Sequence, residues 1–295
     1  MSEPRHAATV ILTRPGPRGL EIALQKRHRE SQFMGGAYVF PGGKLDPEDC
    51  EPRALARLPV GAKERCFARF TPTPGTSLTP EEAAGLHVAA CRETFEEAGV
   101  LLARKAGGAP FAITEPAQEE ALAHARLEMA AGRLGFAELL EAEDLTVDLD
   151  GLVYWAHWVT PTRERRRYDT RFFVAHFPAG QVATADDQEA VDLRWYLANE
   201  ALLAHQEGHI FLPPPTQRSL QELAGYTSLD QVRAEAARRP IGAIMPKLTV
   251  VGDAFAILMP WDPDYAAAEG GALPGEPPKD PRPDLPSRIM VRGGV

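Results

Sequence analysis

The sequence predicts a layered domain of the α/β (or α+β) class, followed by a C-terminal extension. Two observations predict it. Short apolar runs of strand length recur early, midway and late in the chain, and segments of helical period lie between them. No internal repeat interrupts that order.

Ala7–Leu12 and Glu21–Leu24 flank the turn segment Pro15-Gly-Pro-Arg-Gly19 and read as a hairpin or two neighbouring strands. Ala37–Phe40 is a short apolar run that stops at Pro41-Gly42-Gly43. From Lys44 to Pro80 the chain is polar and punctuated by proline, with a short helix expected over Ala62–Phe70. That stretch has the look of an insertion, placed at 47–84. Thr79-Pro80-Glu81-Glu82 combines a hydroxyl at N-cap, proline at N1 and glutamate at N3, so a helix starts there. Gly85 is expected to bend or restart it, and Gly99 to end it in the left-handed region. Helices are expected over Pro116–Ala131 and Phe136–Glu143, then strands over Leu152–Thr160, Arg171–Phe177 and Ala190–Tyr196. Further helices are expected over Asn199–Gln206 and Thr216–Leu223. Lys247–Val251 and Ala254–Met259 flank Gly252-Asp253, a hairpin signal. Pro260–Pro286 reads as irregular.

The 295 residues, 44% of them hydrophobic, are enough for one large domain or two small ones. A net charge of −9 argues against nucleic acid or an anionic membrane as partner, though not against a small phosphorylated substrate met by local cations. Cys50, Cys66 and Cys91 show no CxxC spacing, which suits a reducing setting. Met1–Thr13 has no signal-peptide layout and no run reaches the length of a membrane span. The expectation is a soluble, cytoplasmic protein.

The chemistry concentrates in Arg92-Glu93-Thr94-Phe95-Glu96-Glu97-Ala98-Gly99-Val100. At about 100° per residue, Glu93, Glu96 and Glu97 fall within an arc of roughly 100°. Val88, Cys91, Phe95 and Ala98 occupy an opposite arc of roughly 80°. Such a helix docks by one face and presents three carboxylates on the other. Like charges at i,i+3 and i,i+4 destabilise a helix, and a divalent cation reverses that sign. Oxygen donors suit Mg²⁺ or Mn²⁺, which keep waters and take phosphate oxygens as further ligands. Any single Glu-Glu pair is usually a solvated helix face. Five fixed identities in one eight-residue register arise by chance on the order of 10⁻⁶ per start position.

Together with Phe40-Pro41-Gly42-Gly43, this segment resembles the signature of the Nudix hydrolases, G-x5-E-x7-R-E-U-x-E-E-x-G-U, with U a bulky aliphatic residue. Asp49 stands where the pattern has glutamate, and Thr94 where it has an aliphatic residue. Ordinary spacing would put the arginine at Arg57, which Leu58 and Pro59 follow. About 35 residues are therefore inserted before Arg92. A box split here resembles the branch that includes the peroxisomal coenzyme A diphosphatase and its bacterial relatives. The opening FPGGKLDPED, RETFEEAGVLL, Tyr168-Asp169-Thr170-Arg171-Phe172-Phe173 and Asp192…Trp195 are similar to that branch.

The resemblance implies a Nudix-type α/β/α sandwich over 5–200, a mixed sheet between helices with the insertion inside the box. An extension over 201–295 is expected to pack on the same domain. It implies that Glu93, Glu96, Glu97 and the Gly43 carbonyl hold the metal, and that Arg92 orients a glutamate. It also implies a further acid before a late strand, for which Glu189 of Asp186-Asp187-Gln188-Glu189 is the favoured residue, with a merely solvated acidic loop as the equal alternative. The run Arg163–Arg167, and in it Arg167, together with Tyr168 and Arg171, are candidates for substrate phosphates. A solvated loop and a strand ion pair are the plainer alternatives. Tyr154, Trp155, Trp158 and Trp195 could stack a base or simply fill the core. The implied reaction is hydrolysis of a nucleotide-derived diphosphate, with coenzyme A or acyl-CoA as substrate. An ADP-ribose-like sugar diphosphate, a nucleoside triphosphate and a silent nucleotide-sensing domain are the alternatives. A homodimer is left open.

Overall fold

The computed structural model describes residues 3–30, 34–70, 77–252 and 254–291. The N-terminal hairpin forms as expected: β1 (Arg5–Gly16) and β2 (Gly19–Arg27) pair antiparallel out to Gly16 and Gly19. Along Arg5–Thr13, β1 also pairs in parallel with β8 (Tyr168–His176). That strand pairs antiparallel with β7 (Val153–Val159), and β10 (Ala243–Ile244) adds in parallel beyond it. On the other side β9 (Ala190–Leu197) pairs antiparallel with β2. The result is the expected mixed sheet.

A fork in this sheet makes the site possible. β1 gives Thr13–Gly16 to β2 but Ala7–Thr9 to β4 (Gly42–Lys44), while β3 (Tyr38–Val39) stays on β2. Phe40 and Pro41 therefore cross between two strands that have parted. The Pro41 carbonyl accepts a hydrogen bond from the Val10 amide at 2.9 Å, which fixes the crossing.

Side chains alternate across a strand, so each strand feeds two cores. Ala8, Val10, Leu12, Ala23 and Phe173 face one layer; Ile11, Ile22, Leu24, Phe172 and Val174 face the other. On the first layer lies α3 (Pro80–Ala98), flanked by α1 (Pro52–Leu55), α2 (Ala62–Arg69), α4 (Pro116–Ala130) and α5 (Phe136–Ala142). A ribbon of β5 (Ala103–Lys105) and β6 (Leu145–Val147) completes that side. The second layer holds α6 (Ala198–Gln206), α7 (Pro214–Leu223) and α8 (Leu229–Ala236).

The helix α3 starts and stops as its sequence dictates. Thr79 Oγ1 accepts from the Glu82 amide, the Glu82 carboxylate accepts from the Thr79 amide, and Gly99 closes the helix at φ +69°. Gly85 neither bends nor restarts it. Its missing Cβ instead lets Cys50 approach, whose Sγ would lie 2.6 Å from a methyl there. Cys50 ends a 3-10 turn over Pro47–Cys50, so the inserted segment packs down on α3 through Ala54, Leu58, Cys66 and Phe70. Residues 71–76 of the insertion lie outside the described residues.

Past Gly242 the chain builds a separate three-stranded sheet of β11 (Lys247–Val251), β12 (Ala254–Leu258) and β13 (Arg288–Val291). Gly252 sits at φ +61°, as a tight hairpin requires; Asp253 lies outside the described residues. Between Pro260 and Pro286 there is no helix or strand. Two arginines hold that stretch: the buried Arg218 donates to the Pro286 carbonyl, and the partly buried Arg282 to that of Glu222. The sequence reading missed α8, β10 and β13, and β5 with β6, all short elements stabilised by what they pack against. No helix of the described residues is long and apolar enough to cross a membrane.

Candidate active site

The sheet fork lets α3, which lies under one face, show carboxylates on the other. A cleft of about 900 Å³ opens on the face carrying Thr9, Trp158 and Phe172, and Glu93 and Glu97 line it. They reach it past Gly42 and Gly43. A Cβ built on Gly43 would lie 2.4 Å from a Glu93 carboxylate oxygen, and one on Gly42 would strike the Ala8 carbonyl. Gly43 is needed because a helix carboxylate passes where its side chain would stand, and Gly42 because the β1 backbone lies as close on its own side.

Glu97 is 4% exposed, and its Oε2 accepts from the Gly42 amide at 2.8 Å and from Gln25 Nε2 at 2.5 Å. Burial pushes its carboxyl well above the usual carboxylate range, and the charges of Glu93 and Glu189 push it further. Glu93 is pushed up to about 7, chiefly by burial, against the pull of Arg92. Two neighbouring acids thus oppose the ionisation of Glu97 beside the cleft. A divalent cation relieves that opposition, and oxygen donors are the type Mg²⁺ or Mn²⁺ takes. Among the described residues no three His, Cys, Asp or Glu side chains converge into a closed cage. Two carboxylates beside the Gly43 main chain leave room for waters and phosphate oxygens, so the donor set fits such an ion.

Arg92 organises the back of the site. Its Nε and Nη2 donate to the two oxygens of Asp49 at 2.9 Å, and Nη1 donates to Glu93 and Glu96, each at 2.9 Å. Asp49, 2% exposed, stands where the box spacing calls for glutamate and is held there by Arg92. Glu96 is turned toward Arg92 and is not among the residues lining the cleft. Thr94, at an aliphatic position of the box, is buried without penalty because its hydroxyl donates to the Ala90 carbonyl at 2.7 Å.

Glu189 also lines the cleft. Its loop is shaped by Asp186, whose carboxylate accepts from the amides of Gln188, Glu189 and Ala190. Arg27 stands 3.6 Å from Glu189 and lines the same cleft. Arg126 braces this end from α4: Nε donates to the Glu96 carbonyl and Nη2 to that of Thr184.

The phosphate-binding candidates separate. Tyr168 lines the cleft, and so does Arg166, its neighbour but one. Arg167 does not line it; Nε donates to the Thr160 carbonyl at 3.1 Å. Arg171 is 1% exposed, lies on the opposite face of β8 and pairs with Asp169 at 2.8 Å. A substrate role for Arg171 is therefore corrected to an internal ion pair: strand alternation sends residues 169 and 171 one way and 168 and 170 the other. Of the strand aromatics, Trp158 reaches the cleft, while Tyr154 and Trp155 fill the two cores. Sequence reasoning missed Gln25, Arg27, Lys44 and Arg126. Only Lys44, next to the glycine turn, carried a local signal.

Residues 4–223 match the family model described as the NUDT19 Nudix domain. The chain belongs to this Nudix family. It is 30% identical over 307 residues to the acyl-coenzyme A diphosphatase NUDT19 of Gallus gallus, covering 88% of this chain and 81% of that protein. The Homo sapiens protein of the same name is 29% identical over 304 residues, covering 88% and 80%. A Nudix hydrolase from Alicyclobacillus acidocaldarius shares the fold, with a TM-score of 0.59 and 24% identity over 82% of this chain and 98% of that one. The chain is thus a Nudix pyrophosphohydrolase, its box split by an insertion that packs behind the Nudix helix.

Glycine 43 of this Nudix box provides a test that separates site from fold. Its φ is not in the left-handed region, so alanine strains no backbone, but the new methyl must displace the Glu93 carboxylate. Gly43→Ala is expected to lower kcat/KM roughly 100-fold and to shift the melting temperature by only a few degrees. Activity within twofold of the parent would remove Glu93 from the site.

Proposed function

We propose that this Nudix enzyme is a divalent-metal-dependent diphosphatase of coenzyme A and acyl-CoA, releasing 3′,5′-ADP and (acyl-)phosphopantetheine. The relatives from chicken and human bear the name acyl-coenzyme A diphosphatase, which supports the substrate. The observation that carries the chemistry is the placement of Glu93, Glu97 and Glu189 at one end of a large cleft that also holds Lys44, Arg27 and Arg166.

Glu93, Glu97 and the Gly43 carbonyl would hold the metal, which when bound neutralises the diphosphate and activates water. Gln25 and the Gly42 amide keep Glu97 aimed at the cleft, and Arg92 keeps Glu93 in place. Lys44 and Arg166 supply positive charge for phosphate oxygens, and Tyr168 borders the same wall. Glu189 takes the proton of the water whose oxygen attacks phosphorus. The P–O bond of the diphosphate breaks, and the leaving phosphate carries away the electron pair. Glu96 acts through Arg92, which its carboxylate engages. Three free cysteines, two of them fully buried, support a reducing, cytoplasmic setting.

The test is a panel of coenzyme A, acetyl-CoA, ADP-ribose, NADH, diadenosine polyphosphates and nucleoside triphosphates, with Mg²⁺, with Mn²⁺ and with EDTA, products being resolved by chromatography. Release of 3′,5′-ADP from the CoA compounds, abolished by EDTA, is the expected result. Cleavage of another member alone would discard the CoA assignment. Binding without turnover would favour a nucleotide sensor.

A further inference from the structure

We propose that the outer face of the three-stranded C-terminal sheet seats the acyl chain of the substrate, continuing the catalytic cleft outward. The proposal rests on the acyl-CoA reading above and adds a site to it.

Opposed residues of antiparallel strands share a face, as do residues two apart. Leu248, Ile257 and Ile289 therefore form one row, and Val250, Phe255 and Val291 the next. The first row is rooted in the body of the protein. Ile289 is buried in the same core as Trp158 and Phe172, Ile257 packs against that core, and Leu248 and Ile257 line the cleft. The second row stands in solvent, with Val250 63% and Phe255 48% exposed. The opposite face is covered at its centre, where Ala256 and Leu258 are fully buried with Tyr265, while Met290 and Val251 at its margins are 48% and 38% exposed. Lys247, the charged residue of β11, pairs with Leu258 on that face and borders the cleft, but its Nζ is engaged by the carbonyls of Tyr265 and Ala268.

An apolar shelf exposed to water on one side, and opening into a catalytic cleft on another, marks a ligand surface. Its occupant is constrained at both ends. Within the cleft the ligand meets the cationic side chains Lys44, Arg27 and Arg166 as well as the carboxylates, and so carries phosphate. Across Leu248, Val250, Phe255 and Ile257 it meets no charge, so there it is hydrocarbon. A nucleotide diphosphate with a fatty acyl tail satisfies both conditions; free coenzyme A would leave the shelf bare.

The experiment compares coenzyme A, acetyl-CoA and dodecanoyl-CoA on the full chain and on the double variant Val250→Asn/Phe255→Asn. Both substituted positions lie beyond the cleft and take no part in catalysis. The double variant is expected to cleave coenzyme A and acetyl-CoA within about twofold of the parent. Its kcat/KM for dodecanoyl-CoA should fall roughly tenfold, mainly through KM. Phe255→Leu, which keeps the apolar contact, should retain the dodecanoyl-CoA activity. An unchanged chain-length profile in the folded double variant would overturn the acyl seat and leave the CoA reading standing. So would a parent dimer that the double variant splits without changing the profile, since the face would then serve a second copy. No cleavage of any CoA compound by the parent would instead overturn the underlying reading.

Discussion

Replacing Glu97 by glutamine is expected to lower kcat by about three orders of magnitude while leaving the protein as stable as before, or more stable. The two effects share one cause. Glu97 is buried, and its ionisation is opposed by burial and by Glu93 and Glu189. Glutamine removes that opposition, and its own carbonyl can still accept from Gln25 and the Gly42 amide. Thermal unfolding without metal should therefore show an equal or higher melting temperature for Glu97→Gln. Adding Mg²⁺ should stabilise the parent by RT ln(1 + [Mg²⁺]/Kd) and the variant far less. Single-turnover kinetics on the substrate that proves active reads the chemical step. Parent-like turnover in a folded variant would remove Glu97 from the chemistry.

The second large effect is on folding. Arg92→Leu is expected to cost about 3–5 kcal/mol of stability and to abolish turnover. Arg92 satisfies both oxygens of the buried Asp49 and draws Glu93 and Glu96 together. Removing it strands a carboxylate from which water is excluded, with two more acids left to repel. Asp49→Ala in the same chain takes away the stranded charge, so the double variant should recover part of the loss. Denaturant unfolding of the two single variants and the double variant gives the coupling between them. Strictly additive losses would show that Asp49 and Arg92 do not act as a pair.

What the sequence determined is what acts over one or two turns of chain. The helix α3 was legible because its cap, its apolar side and its terminal glycine are local and agree with one another. Its three glutamates shared an arc for the same reason. The Phe40–Gly43 turn was legible as a break, though not as a fork in a sheet. The insertion was visible as a disturbance of spacing, yet its use was not: Asp49 becomes the partner of Arg92 only when the insertion folds back on the helix.

The tertiary structure decided everything that depended on which strands pair and with what register. That register turned Arg171 into the interior and Tyr168 toward the cleft, a choice of face that one residue of offset would reverse. It set Gln25 of β2 against Glu97, 72 residues away. It carried Glu189 on its loop to within electrostatic reach of Glu97. It laid the apolar face of β11 and β12 along the cleft mouth. Local propensity is written in neighbouring residues, whereas a site assembled across a sheet fork depends on long-range pairing, which a single sequence encodes only through the free energy of the whole fold.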